Sequence, residues 1–129
     1  MIGSTTAGGS HPCGATIINR GVIEGFDDAV QVGEGAYIEN YGTIENTQTQ
    51  ADLDADPGLE AQDAIDIDSG TIYNEGTIRS TTNSAIDYDP GAATSTILNR
   101  GLIAGTIAFS TGTSWGTFAI MMPIAVQAA

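Results

Sequence analysis

The side chains best able to do chemistry in this chain are its carboxylates. Sixteen Asp and Glu stand against three Arg, no Lys and one His, for a formal net charge of −13 over 129 residues. One acidic group has ligand spacing. Asp52, Asp54, Asp56, Glu60 and Asp63 fall at offsets 1, 3, 5, 9 and 12 of an EF-hand-type loop, where hard oxygens converge on one Ca2+. Two departures weaken the fit: Pro57 stands where the sharp-turn glycine is expected, and Asp63 is shorter than the Glu that normally gives a bidentate contact. Ca2+ is therefore the candidate cofactor, and a solvated acidic loop is the competing reading.

A second acidic set comes from aligned segments, Asp66 and Asp68 in one and Asp87 and Asp89 in the next. On stacked strands Asp66 would sit about 4.8 Å from Asp87, and like charges directly opposite are destabilising unless a cation or water lies between them. Paired carboxylates also bring to mind polysaccharide hydrolysis or lyase chemistry. That chemistry needs one carboxyl held protonated and a sugar groove, and the chain has few aromatics to stack on sugars. His11 and Cys13 supply two ligands at most and no oriented base, so neither a zinc site nor a nucleophile is expected there. With a single cysteine there is no intrachain disulfide. The expectation is a protein that is not an enzyme.

The charge excludes nucleic acid as a general partner, because a phosphate-tracking surface needs clustered cations. No apolar run reaches the roughly 20 residues of a spanning helix; the longest, Phe118 to Val126, contains Pro123. Met1 to Gly9 lacks the basic and apolar regions of a secretory signal, which implies a mature chain, a fragment or another export route.

What must position these carboxylates is a repeat. Ile-x-Asn-x-Gly-x-Ile occurs four times, at Ile17–Ile23, Ile38–Ile44, Ile72–Ile78 and Ile97–Ile103. Behind each comes a second alternating segment: Ala29–Val32, Ala64–Ile67, Ala85–Tyr88 and Thr106–Phe109. The period is 2 throughout, so the segments read as strands with Ile and Val inward. Asn-x-Gly between the two Ile positions is corner chemistry, with Gly expected to take positive φ. Successive corners would stack Asn19, Asn40, Asn74 and Asn99 as an amide ladder. The outward columns then read Arg20, Tyr41, Glu75, Arg100 and Glu24, Glu45, Arg79, Ala104, which gives each arginine a stacking neighbour. An antiparallel sandwich would not explain why Asn and Gly return at fixed offsets.

The repeat resembles those of β-solenoid proteins, in particular the parallel β-helices of bacterial autotransporter passengers and surface adhesins. The resemblance covers about residues 15 to 110 and implies an all-β, right-handed parallel β-helix of about four coils. The expected layout is a flexible N-terminal segment 1–14, a β-solenoid 15–112 with an insertion at 47–62, and an apolar C-terminal cap or donated strand 113–129. The function expected from it is a non-enzymatic, extracellular or cell-surface structural or adhesive protein. Its expected partners are further copies of itself, stacked end to end or joined by strand addition as a filament, and surface glycans. A carbohydrate-binding or carbohydrate-active module is the alternative.

Overall fold

The first motif breaks into two short strands with a bend at Arg20 and Gly21: β1 (Thr16–Asn19) and β2 (Val22–Gly25), followed by β3 (Val30–Val32). The second gives β4 (Ala36–Asn40), β5 (Thr43–Asn46) and, after the insertion, β6 (Ile65–Ile67). In the third, β7 (Gly70–Asn74) is followed by one long strand, β8 (Thr77–Tyr88). In the fourth, β9 (Ser95–Asn99) is followed by β10 (Leu102–Phe109), and β11 (Phe118–Met121) comes last. This computed structural model describes residues 14–89, 95–109 and 118–121. His11, Cys13 and Trp115 lie outside the described residues.

Every strand pairing among the described residues is parallel, so the sandwich alternative fails. One sheet runs β1-β4-β7-β9-β11; the other joins β2-β5-β8-β6-β3, with β10 on β8. Parallel pairing without crossover helices follows from the repeat, because each motif returns the chain to the same sheet one strand further along. The protein is thus all-β, built from parallel sheets. The apolar segment Phe118–Met121 takes its place in this lattice, with Ile120 opposite Ile97.

The core consists of stacked columns. Ile17, Ile38, Ile72 and Ile97 form one; Ile44, Ile78 and Ile103 form another; Val30, Ile65 and Ile86 a third. Burying an Ile side chain is worth roughly 1.5–3 kcal/mol, and no single motif could bury its own pair alone. Tyr88 is buried in the core near this third column, its hydroxyl donating to the Gly70 carbonyl at 3.2 Å.

The Asn ladder forms as expected. Asn19 Nδ2 donates to Asn40 Oδ1 at 2.8 Å, Asn40 to Asn74 at 2.9 Å, and Asn74 to Asn99 at 2.8 Å. Each of these amides also donates to the carbonyl of its own motif's glycine and to a carbonyl in the next motif: Thr43, Thr77 or Leu102. The expected role of glycine is corrected. None of Gly21, Gly42, Gly76 and Gly101 has positive φ. The motif needs glycine for close approach: a Cβ on Gly42, Gly76 or Gly101 would lie 2.0, 1.9 or 2.1 Å from the carbonyl oxygen of the glycine one motif earlier. At Gly21, which has no described motif before it, no atom of the described residues lies within 4 Å.

Two of the three arginines meet the neighbours expected of them. Arg20 lies over the Tyr41 ring at 5.1 Å, and Arg79 pairs with Glu45.

Candidate functional site

A second ladder runs along the corner that leads into β3, β6 and the last part of β8. The residue before each of Ala29, Ala64 and Ala85 is Asp28, Asp63 or Ser84, and the three stack. Asp63 N–H donates to Asp28 Oδ1 at 2.9 Å, and Ser84 N–H donates to Asp63 Oδ1 at 2.8 Å. A carboxylate can only accept, so each Asp takes the backbone donor of the next motif where the Asn corner had amides serving both ways. Asp28 and Asp63 are both buried. Gln62, with its amide nitrogen turned to the carboxylates, donates to Asp27 at 2.9 Å and to Asp28 at 3.1 Å.

Next to this corner runs a half-buried acidic column. Gln31 pairs in register with Asp66, and Asp66 with Asp87. Gln31 Nε2 donates to Asp66 Oδ2 at 3.1 Å, which offsets part of the charge. The alignment expected for Asp66 and Asp87 is therefore present.

These neighbours set the electrostatics. Burial, with the charges of Asp87, Asp28 and Asp66, pushes the Asp63 carboxyl up to about 7, against the hydrogen bond from Ser84 N–H, which pulls it down. Asp87 is raised too, first by burial and then by Asp89 and Asp28. Asp63 thus exchanges its proton in the neutral range, where an ordinary carboxylate is fully ionised.

The five residues expected to hold Ca2+ are not gathered on one centre. The insertion opens as a short helix, α1 (Gln50–Ala55), and not as a ligand loop. Thr49 caps it: its N–H donates to Asp52 Oδ2 at 2.8 Å, and Asp52 N–H returns a bond to its hydroxyl. The hydroxyl and N–H of Thr49 hold the Asp52 carboxyl below its usual range. Asp54 accepts from Gln50 Nε2, Asp56 accepts from Gly58 N–H, and Asp63 is turned into the second corner. Glu60 is exposed, its backbone carbonyl held by Gln48 Nε2 at 2.9 Å. Among the described residues no set of three or more His, Cys, Asp or Glu is placed to share a metal ion.

Sequence reasoning missed Asp28 and Gln48. Asp28 was findable: starting the second segment one residue earlier gives Asp-Ala-Val, Asp-Ala-Ile and Ser-Ala-Ile. Gln48 gave no such signal. It is buried, and its side chain ties the insertion to the strands by donating to Glu60 O and accepting from Gln62 N–H and Thr82 Oγ1.

Residues 76–129 match the model of the Na+/H+ antiporter family. The match takes in under half of the chain and falls on β8 to β11 and the residues around them. No curated protein and no solved structure gives a significant match. The match overturns the expectation of an extracellular adhesive or filament-forming protein, and the carbohydrate alternative is not favoured either. Among the described residues no helix is long and apolar enough to cross a membrane.

Proposed function

We propose that this chain takes part in ion handling, with the acidic corner around Asp63 exchanging a proton for a monovalent cation near neutral pH. The observation that carries this reading is the position of Asp63: buried, stacked between Asp28 and Ser84, and flanked by the Asp66–Asp87 pair. A carboxyl in that setting is neutral when protonated and needs a nearby cation when it is not. The family match, which takes in Ser84 and Asp87 of this corner and not Asp28, Asp63 or Asp66, supplies a second support through the family's name, Na+/H+ antiporter. A pair of carboxylates without a closed ligand cage suits a weakly held, partly hydrated Na+ better than a chelated divalent ion. The strands act as the rigid support. In the same proposal they wind as a right-handed parallel β-helix of about four coils, which keeps Asp28, Asp63 and Ser84 in one column.

Proton release tests this. At pH 7 in unbuffered solution, where a carboxyl titrating at about 7 is half protonated, adding NaCl should release up to about half a proton per chain. Tetrapropylammonium chloride at equal ionic strength should release clearly less, and Asp63→Asn should release almost none with either salt. Equal release by both salts would reduce the effect to screening and overturn the proposal.

A further inference from the structure

The insertion borders an open hollow outside the Asp28–Asp63–Ser84 stack. It has a volume of about 390 Å3 and lies between the turn after β2 and the residues flanking α1, lined by Phe26, Asp27, Gln48, Leu59, Glu60 and Gln62 among others. We infer that this hollow binds a small organic ammonium ion, of the size of a butyl amine, with its alkyl part against Leu59 and its charged head beside Phe26, Asp27 and Glu60.

Three observations carry this. The size falls within the range of small-molecule sites. The lining joins apolar surface to carboxylates and contains no Lys, Arg or His, so its charge complements a cation and repels an anion. Phe26 is about half exposed, an unusual position for so large an apolar ring, and an aromatic face beside acidic groups is a recognised setting for ammonium ions.

The walls are also fixed before any ligand arrives. Gln48 is buried and holds the far wall through Glu60 O at 2.9 Å and Gln62 N–H at 3.1 Å, while Asp56 fixes the turn by accepting from Gly58 N–H and, through its carbonyl, from Leu59 N–H. Asp27 is held from the other side by the Gln62 amide. A site held in this way loses little entropy on binding.

The test is an NMR titration of the whole chain with butylammonium chloride, with sodium butyrate and NaCl at equal ionic strength as controls. Butylammonium should give saturable shifts at Phe26, Gly58 and Leu59, and the two sodium salts should not. Phe26→Ala should weaken binding by about three-fold or more, as expected for loss of a partly exposed cation–aromatic contact. Asp27→Asn should weaken it as well. Gln48 is left intact in both variants, so the insertion keeps its anchor, and an unchanged amide spectrum outside the hollow confirms the fold. Absence of saturable shifts, or shifts of the same size from NaCl, would overturn the inference. Neither result would bear on Asp63, whose proton exchange is read separately.

Discussion

Two corners of the same repeat solve the same stacking problem with different chemistry. At the first corner Asn19, Asn40, Asn74 and Asn99 pass hydrogen bonds along the stack, because an amide both donates and accepts. At the second, Asp28 and Asp63 occupy equivalent stacked positions but can only accept, so they draw on the backbone N–H of the next motif. The first column is neutral and indifferent to pH. The second concentrates charge in a buried place, and the Asp63 carboxyl moves to about 7 as a result. Equal geometry thus gives a structural ladder on one side and a titrating group on the other; the difference lies in one functional group, amide against carboxyl.

The largest effect should come from filling the first corner. Gly76→Ala places a Cβ within 1.9 Å of the Gly42 carbonyl, so the stack must separate there. The expected loss is about 3 kcal/mol or more by urea denaturation, or failure to fold. Gly21→Ala, with open space at the same motif position, should stay within about 1 kcal/mol of wild type. Similar losses at both glycines would break the close-approach account.

Asn74→Ala comes next. It removes bonds to Asn99, Gly76 and Leu102 and leaves the Asn40 amide with one partner fewer. A loss of about 2–4 kcal/mol is expected, independent of pH between 5 and 8, since buried unsatisfied amides cost roughly 1–3 kcal/mol each.

The second corner should respond to pH in the opposite sense to an ordinary ion-paired carboxylate. Asp63 is raised in the folded protein, so between about 4 and 7 the folded state holds more protons than the unfolded one. Its contribution therefore favours folding most at about pH 4 and declines as pH rises to about 7. Asp63→Asn should flatten that decline and stabilise the protein at pH 8 by on the order of 2 kcal/mol, with little change at pH 4. An unaltered pH profile in the variant would sink this half of the comparison.

The smallest effect is expected on the surface. Arg79 is half exposed where it meets Glu45, and Arg79→Ala should cost about 0.5 kcal/mol, falling further in high salt.

The repeat made the first corner and the Ile columns legible because the same residue types recur at the same offsets. The register of Asp66 with Asp87, of Arg20 with Tyr41 and of Arg79 with Glu45 followed from that alignment. The second corner was harder to read because its column mixes Asp with Ser, and only the backbone donors reveal that Asp28, Asp63 and Ser84 share a role. The insertion misled in a specific way: Asp52 lies at a ligand offset, but three residues after Thr49 it is equally a capping partner, and the local helix takes it. Glycine was placed correctly and explained wrongly, since crowding between successive motifs cannot be seen within any one of them. The ion-handling reading had no source in the repeat, which is a support that many activities share; it comes from the environment of Asp63 and from the family match.

The most direct test of the contrast is a site-resolved 13C titration of the Asp63 carboxyl in wild type and in Asp28→Asn. Wild-type Asp63 should titrate at about 7, and removing the Asp28 charge should lower that midpoint while the Asn19, Asn40, Asn74 and Asn99 amide signals stay fixed across the same pH range. A wild-type midpoint in the usual carboxylate range near 4 would contradict the account, because the two corners would then differ in composition and not in chemistry.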